Sequence, residues 1–93
     1  MTRSAARLVV EGRVQGVGYR WWTVKTAAEL GLAGWVRNCP DGSVEILAIG
    51  DDEGIGQLAR ACLEGPPHAG VRSVDMYGAT DDGSADFVQQ EIH

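Results

Sequence analysis

The segment Gly12–Arg20 constrains the fold of this chain more than any other, because it joins an expected strand directly to an expected helix. Before it, Ala6–Glu11 shows the period-two alternation of a strand with one better-buried face. After it, Trp21–Leu30 has apolar residues at helical spacing. A glycine-rich turn between a strand and a helix exposes backbone N–H groups, and the helix dipole adds positive charge there. The segment therefore predicts an anion-binding loop.

The composition of this loop suits a phosphate group. Glycines at 12, 16 and 18 accept positive φ angles, which allows the N–H groups of Gln15 through Arg20 to converge. Arg20 adds a planar guanidinium that matches phosphate oxygens. The loop is not a nucleotide P-loop, because no Gly-Lys-Ser/Thr follows, and Arg20-Trp21 stands where a dinucleotide motif has its third glycine. An ordinary glycine turn with a solvated arginine stays the alternative interpretation.

The order of the remaining elements predicts an α+β fold. We expect a ferredoxin-like βαββαβ sandwich, with two helices on one face of a mostly antiparallel sheet and a short extra C-terminal strand. The predicted later elements are a strand Trp35–Asn38, a hairpin turn Pro40–Gly42, a strand Val44–Ile49, a helix begun by Asp51–Glu53 and ended by Gly65–Pro67, a strand Val71–Tyr77 and a terminal strand Asp86–Ile92. Residues 1–93 are expected to form a single domain.

Helical spacing also predicts which side chains the two helices bury. The first helix should bury Val24, Ala27 and Ala28. The second should bury Ile55, Leu58, Ala59, Cys62 and Leu63. Trp21 and Trp22 are expected to pack in the core and at its rim rather than to form a stacking surface.

Composition excludes several classes of partner. Thirteen acidic against eight basic side chains give a net charge of -5, which repels nucleic acid and anionic membranes. No apolar run approaches the ~20 residues of a membrane span, and no secretory signal is evident. The two cysteines, Cys39 and Cys62, lack metal-ligand spacing, and a single bridge between them is the minor alternative to free thiols. We expect a cytoplasmic monomer without a bound metal or other cofactor.

Two stretches resemble signatures of the acylphosphatase family. Gly12-x-Val14-Gln15-Gly16-Val17-x-x-Arg20, followed by Thr23, resembles its phosphate-loop signature, although Tyr19 stands where the family often has phenylalanine. Gly31-Leu32-x-Gly34-Trp35-Val36-x-Asn38-x-x-Asp41-Gly42-x-Val44-Glu45 is similar to its other signature. The phosphate-binding residues implied by the resemblance are Gln15, Gly16, Val17, Gly18, Tyr19 and Arg20.

The resemblance also implies an activity and two further roles. The expected reaction is hydrolysis of an acyl phosphate to a carboxylate and inorganic phosphate, which is both product and inhibitor, without metal or covalent intermediate. In this pattern Arg20 binds phosphate, Asn38 orients the attacking water, and Thr23 supports one of these two side chains from behind. Without the resemblance, Asn38 would be an ordinary turn former.

The chemistry of the chain agrees with that activity. It has no evident metal-ligand cluster and no Ser-His-Asp order, so it must act by positioning and electrostatics, which suffice for phosphoryl transfer. Two alternatives remain. One is an accessory, non-catalytic acylphosphatase-like module, as in hydrogenase-maturation carbamoyltransferases. The other, an RNA-binding module, is disfavoured by the negative charge and the few strand aromatics.

Overall fold

The computed structural model describes residues 3–91, which form five strands and two helices. In chain order they are β1 (Ser4–Arg13), α1 (Tyr19–Glu29), β2 (Ala33–Asn38), β3 (Val44–Gly50), α2 (Asp52–Glu64), β4 (Gly70–Gly78) and β5 (Phe87–Gln89). The predicted ferredoxin-like order, with a short extra strand at the end, is confirmed. Ile92, the last residue of the predicted terminal strand, lies outside the described residues.

The sheet brings the carboxyl ends of β1 and β2 together. Its strand order is β4-β1-β3-β2-β5, and every pair is antiparallel except the parallel pair β2–β5. Val10 near the end of β1 and Asn38 at the end of β2 both pair with Val44 of β3. Whatever follows β1 therefore lies beside Asn38, at one end of the sheet.

The core lies between the two helices and one face of the sheet. Alternate residues of the two central strands face the helices: Ala6, Leu8 and Val10 from β1, with Val44, Ile46 and Ala48 from β3. From α2, Ile55, Leu58 and Cys62 pack onto them. The prediction for Leu63 is wrong, because this residue lies at the border of the apolar stripe and is 56% exposed.

The buried line of α1 differs from the predicted one. Its fully buried residues are Tyr19, Thr23 and Ala27, each one turn after the previous one. Ala28, which was expected to be buried, is exposed. The difference follows from the orientation of the helix, because the inward line is centred on Tyr19, Thr23 and Ala27, and Ala28 lies about 100° around the axis from Ala27.

Candidate functional site

A cavity of about 120 Å³ opens where the loop after β1, the start of α1 and the end of β2 meet. Its walls come from segments far apart in the chain, and β5 closes one side. The residues that line it are Val14, Gly16, Gly18, Tyr19, Arg20, Trp21, Asn38 and Gln89. Five of the eight predicted site residues thus line one cavity: Gly16, Gly18, Tyr19, Arg20 and Asn38.

The backbone of the loop leaves a run of hydrogen-bond donors free. Gly16 and Gly18 have φ angles of 76° and 79°, a left-handed conformation that costs glycine little. Gly18 is the N-cap of α1 and supplies no side-chain cap, and the first turn contains no acidic residue. Within residues 3–91, the amide N–H groups of residues 15–20 donate to no protein acceptor. Together with the helix dipole, these donors make the cavity wall attractive to an anion.

Arg20 lies in the first turn of α1 and is held by the C-terminal segment. Its Nη1 donates to the carbonyl oxygen of Gln90 at 2.9 Å, and the N–H of Gln90 donates to the carbonyl oxygen of Val36 at 2.8 Å. In the described part of the chain no carboxylate forms an ion pair with Arg20. The guanidinium is therefore anchored at one nitrogen, and its charge is not neutralised by a neighbour.

Asn38 presents a buried acceptor without a partner. The residue is only 7% exposed, and its Oδ1 has no hydrogen-bond partner among the described residues. Most buried polar atoms are satisfied, so an orphaned one at a cavity wall requires an explanation. A small polar molecule in the cavity would satisfy it.

Gln15 turns its side chain away from the cavity. Its Nε2 donates to the carbonyl oxygens of Cys39 at 2.8 Å and Ser43 at 2.9 Å, across the β2–β3 turn. Asp41 closes the same turn by accepting from the backbone N–H of Ser43 at 2.9 Å and from its hydroxyl at 2.6 Å. Only the main-chain N–H of Gln15 is free for a ligand. Its side chain instead ties the loop to the turn that follows Asn38.

Three other predicted residues support the loop from the protein side. Val17 packs partly buried against the core. The hydroxyl of Thr23 donates to the carbonyl oxygen of Tyr19 at 2.8 Å, one turn back in α1. The hydroxyl of Tyr19 donates to the carbonyl oxygen of Cys62 at 2.7 Å, and burial raises the pKa of this phenol. Tyr19 thus fixes the start of α1 against α2.

Three contributors to the site were missed by sequence reasoning. Trp21 and Gln89 line the cavity, and the carbonyl oxygen of Gln90 holds Arg20. The position of Trp21 directly after Arg20 was a usable signal. No local pattern could have indicated the other two, because they reach the site only through the pairing of β5 with β2.

Both cysteines are free, so the disulfide alternative is wrong. Cys62 is buried on α2, and burial raises the pKa of its thiol to about 11, which keeps it protonated near neutral pH. Among residues 3–91, no three His, Cys, Asp or Glu side chains cluster as metal ligands would. In the same range, no helix is both long and apolar enough to cross a membrane.

Comparison with known proteins identifies the family of this chain. The family model "Acylphosphatase" matches residues 6–89. An acylphosphatase from Synechococcus sp. is 56% identical over 69 residues, which cover 74% of this chain and 59% of that protein. An acylphosphatase from Nocardioides sp. is 45% identical over 85 residues, which cover 91% of this chain and 86% of that protein.

A solved structure extends the agreement to three dimensions. The structure of an acylphosphatase from Coxiella burnetii superposes with a TM-score of 0.91 at 36% identity, covering 95% of this chain and 93% of that one. The similarity thus extends over nearly the whole length of both chains. The chain therefore belongs to the acylphosphatase family of hydrolases, which act on acyl phosphates.

Proposed function

We propose that this protein hydrolyses acyl phosphates by seating the phosphoryl group on the free amides of residues 15–20 and on Arg20, while Asn38 holds the attacking water. The main support for this proposal is the set of groups that line the cavity. A run of unpaired N–H donors, an uncompensated guanidinium and an orphaned buried acceptor line the same small cavity. Donors of this kind, already in place before reaction, stabilise charge that develops on phosphoryl oxygens.

Local geometry outweighs the net charge of the protein in this proposal. The chain carries a formal charge of -5, which repels a phosphate dianion at long range. Within the cavity, the uncapped start of α1 and the side chain of Arg20 are positive, and the first turn of α1 carries no carboxylate. Charge-assisted hydrogen bonds act at contact distance and are stronger than neutral ones.

Asn38 supplies what a water nucleophile needs. Its unpartnered Oδ1 accepts a hydrogen bond from a water, which leaves a lone pair of that water free for phosphorus. The bond from the water oxygen to phosphorus forms as the bond from phosphorus to the acyl oxygen breaks. The carboxylate leaves with the electron pair, and a phosphate oxygen takes the proton of the water. Because a carboxylate is a weak base, the leaving group requires no general acid.

The test compares variants of Arg20 with a variant of an arginine that does not line the cavity. We expect Arg20→Ala to lower kcat/KM for benzoyl phosphate by about 10²–10³, the loss typical of one preorganised donor. Arg20→Lys should recover only part of this loss, because an ammonium lacks the planar fork. Arg72→Ala is the matched control, since Arg72 is 72% exposed and pairs only with Glu11 at 3.4 Å.

The same assay separates the proposed activity from its rivals. The wild-type protein should turn over benzoyl phosphate equally with and without EDTA, and p-nitrophenyl phosphate poorly. Inorganic phosphate should inhibit and should raise the melting temperature by mass action. Near-normal turnover by Arg20→Ala, or none by the wild-type protein, would show that the proposed function is wrong.

A further inference from the structure

Trp21 is the most exposed large apolar side chain of the described residues, and it lies at the cavity. It is 65% exposed although it lines the same cavity as Arg20 and Asn38. The next residue, Trp22, behaves differently: it is partly buried, and its ring centroid lies 5.3 Å from that of Tyr19. The sequence-based expectation that both indoles serve packing thus holds for Trp22 only, and Trp21 needs another explanation.

The size of the cavity places the acyl group of an aromatic acyl phosphate outside it. Its volume of about 120 Å³ is well below the roughly 300–1,000 Å³ of pockets that enclose a drug-sized ligand. With the phosphoryl group against the loop amides, the acyl group must therefore extend past the rim. Trp21 lines the cavity and is mostly exposed, so its side chain lies at that rim.

Trp21 alone offers exposed apolar surface at the rim. The other apolar side chains of the cavity wall, Val14 and Tyr19, are each 1% exposed. The remaining walls are glycine backbone or polar side chains. An aromatic ring provides a flat face for another flat or apolar group, an interaction that adds to simple area burial.

Lys25 orients the Trp21 ring. Its Nζ lies 5.5 Å from the ring centroid, and the two residues are one helical turn apart on α1. This cation–π contact restrains the indole, so that less side-chain freedom is lost when a ligand binds.

We propose that Trp21 forms the binding surface for the acyl group and makes the enzyme prefer aromatic acyl phosphates to acetyl phosphate. The proposal rests on the proposed function above and adds the substrate class to it. The phosphoryl group determines that a molecule is a substrate, because it meets the loop and Arg20. The acyl group then determines how good a substrate it is, through contact with one indole ring.

The experiment measures kcat/KM for benzoyl phosphate and acetyl phosphate on the wild-type protein, two Trp21 variants and one control variant. Trp21→Ala should lower the value for benzoyl phosphate about three- to tenfold more than that for acetyl phosphate, the range of one aromatic contact. Trp21→Phe should keep most of the preference. Met76→Ala is the matched control, because Met76 is also half exposed and apolar but lies on β4, away from the cavity.

The possible outcomes separate this inference from the function on which it rests. If the wild-type protein turns over both substrates and Trp21→Ala lowers both equally, or neither, the acyl-binding role is wrong and the hydrolase proposal stands. If the wild-type protein turns over neither substrate, both proposals are wrong. Inhibition by inorganic phosphate gives a second readout: its inhibition constant should not change in Trp21→Ala, since phosphate has no acyl group to contact the ring.

Discussion

Replacing Asn38 by alanine should make the protein less active without making it less stable. The buried Oδ1 of Asn38 has no protein partner in the described structure, and an unsatisfied buried acceptor costs about 1–3 kcal/mol. A hydrogen bond to a cavity water recovers only part of this cost, because holding that water costs up to about 2 kcal/mol of entropy. Removing the amide abolishes that cost but also removes some packing, about 1 kcal/mol for a group of this size. The free energy of unfolding should therefore stay the same or rise by up to about 2 kcal/mol. For a domain of this size, each kcal/mol corresponds to roughly 4–8 °C in Tm.

Asn38→Ala should lower activity even though it does not lower stability. Without Oδ1 the water is no longer oriented, so we expect kcat for benzoyl phosphate to fall by about 10²–10³, as for other preorganised groups. In the proposed site, phosphate binds through the loop amides and Arg20, so protection of Tm by added phosphate should be kept. A loss of kcat with little change in ground-state binding indicates an interaction made in the transition state.

Ser43 offers a matched comparison, because it is a buried polar residue whose hydroxyl is satisfied. It is 5% exposed and donates to the carboxylate of Asp41 at 2.6 Å. Ser43→Ala should lower Tm, whereas Asn38→Ala should not. The argument fails if Asn38→Ala melts several degrees lower than the wild-type protein, or if it loses phosphate protection in parallel with activity. Either result would make the amide a structural or phosphate-binding group instead.

One further prediction concerns the Gln15 side chain beside the site, and another concerns the ion pair between Arg3 and Asp81. Gln15→Ala removes two hydrogen bonds worth about 0.5–1.5 kcal/mol each, so it should lower both Tm and kcat, while added phosphate should still raise Tm. An unchanged Tm together with a loss of phosphate protection would contradict this role of the Gln15 side chain. Arg3 donates to both carboxylate oxygens of Asp81 at 2.8 Å, which lowers the pKa of that carboxyl. A lowered carboxyl pKa stabilises the fold above the unfolded-state pKa, and this contribution is lost as pH falls through the folded-state value. The Tm difference between the wild-type protein and Asp81→Asn should therefore shrink on acidification, and a difference independent of pH would refute the pairing.

The fold was predictable where local and tertiary preferences agree. Alternating burial along β1 follows the prediction because one face of this strand packs against the helices, whereas β3 also buries Leu47 and Ile49 on its other face. Asp51 acts as the N-cap of α2, with its Oδ1 accepting from the N–H of Gly54 at 2.8 Å, as its residue type suggests. The start of α1 was placed two residues late because its N-cap is Gly18, which carries no side-chain signal for a helix start.

The site was predictable only in part, because some of its residues belong to local motifs and others reach it through pairing of distant segments. Arg20 and Asn38 were proposed from two local motifs, and a shared pairing partner in β3 explains why loop and strand end meet. The contact from Arg20 to the carbonyl of Gln90 spans 70 positions and depends on parallel pairing of a three-residue strand. The direction of the Gln15 side chain likewise depends on carbonyls of a distant turn.

The two helix starts show that the open donors of the loop are not a general property of this chain. At α2, the side chain of Asp51 satisfies a backbone N–H, and Asp52 and Glu53 add negative charge to the first turn. At α1, a glycine stands in the cap position and no acidic residue follows, so a few tenths of a kcal/mol from the cap and about 0.3–1 kcal/mol from a first-turn carboxylate are forgone. Any carboxylate placed there would occupy the donors that an anionic substrate needs and would repel it. The unfilled start of α1 is therefore what a phosphoryl-binding site requires, even though it makes the helix itself less stable.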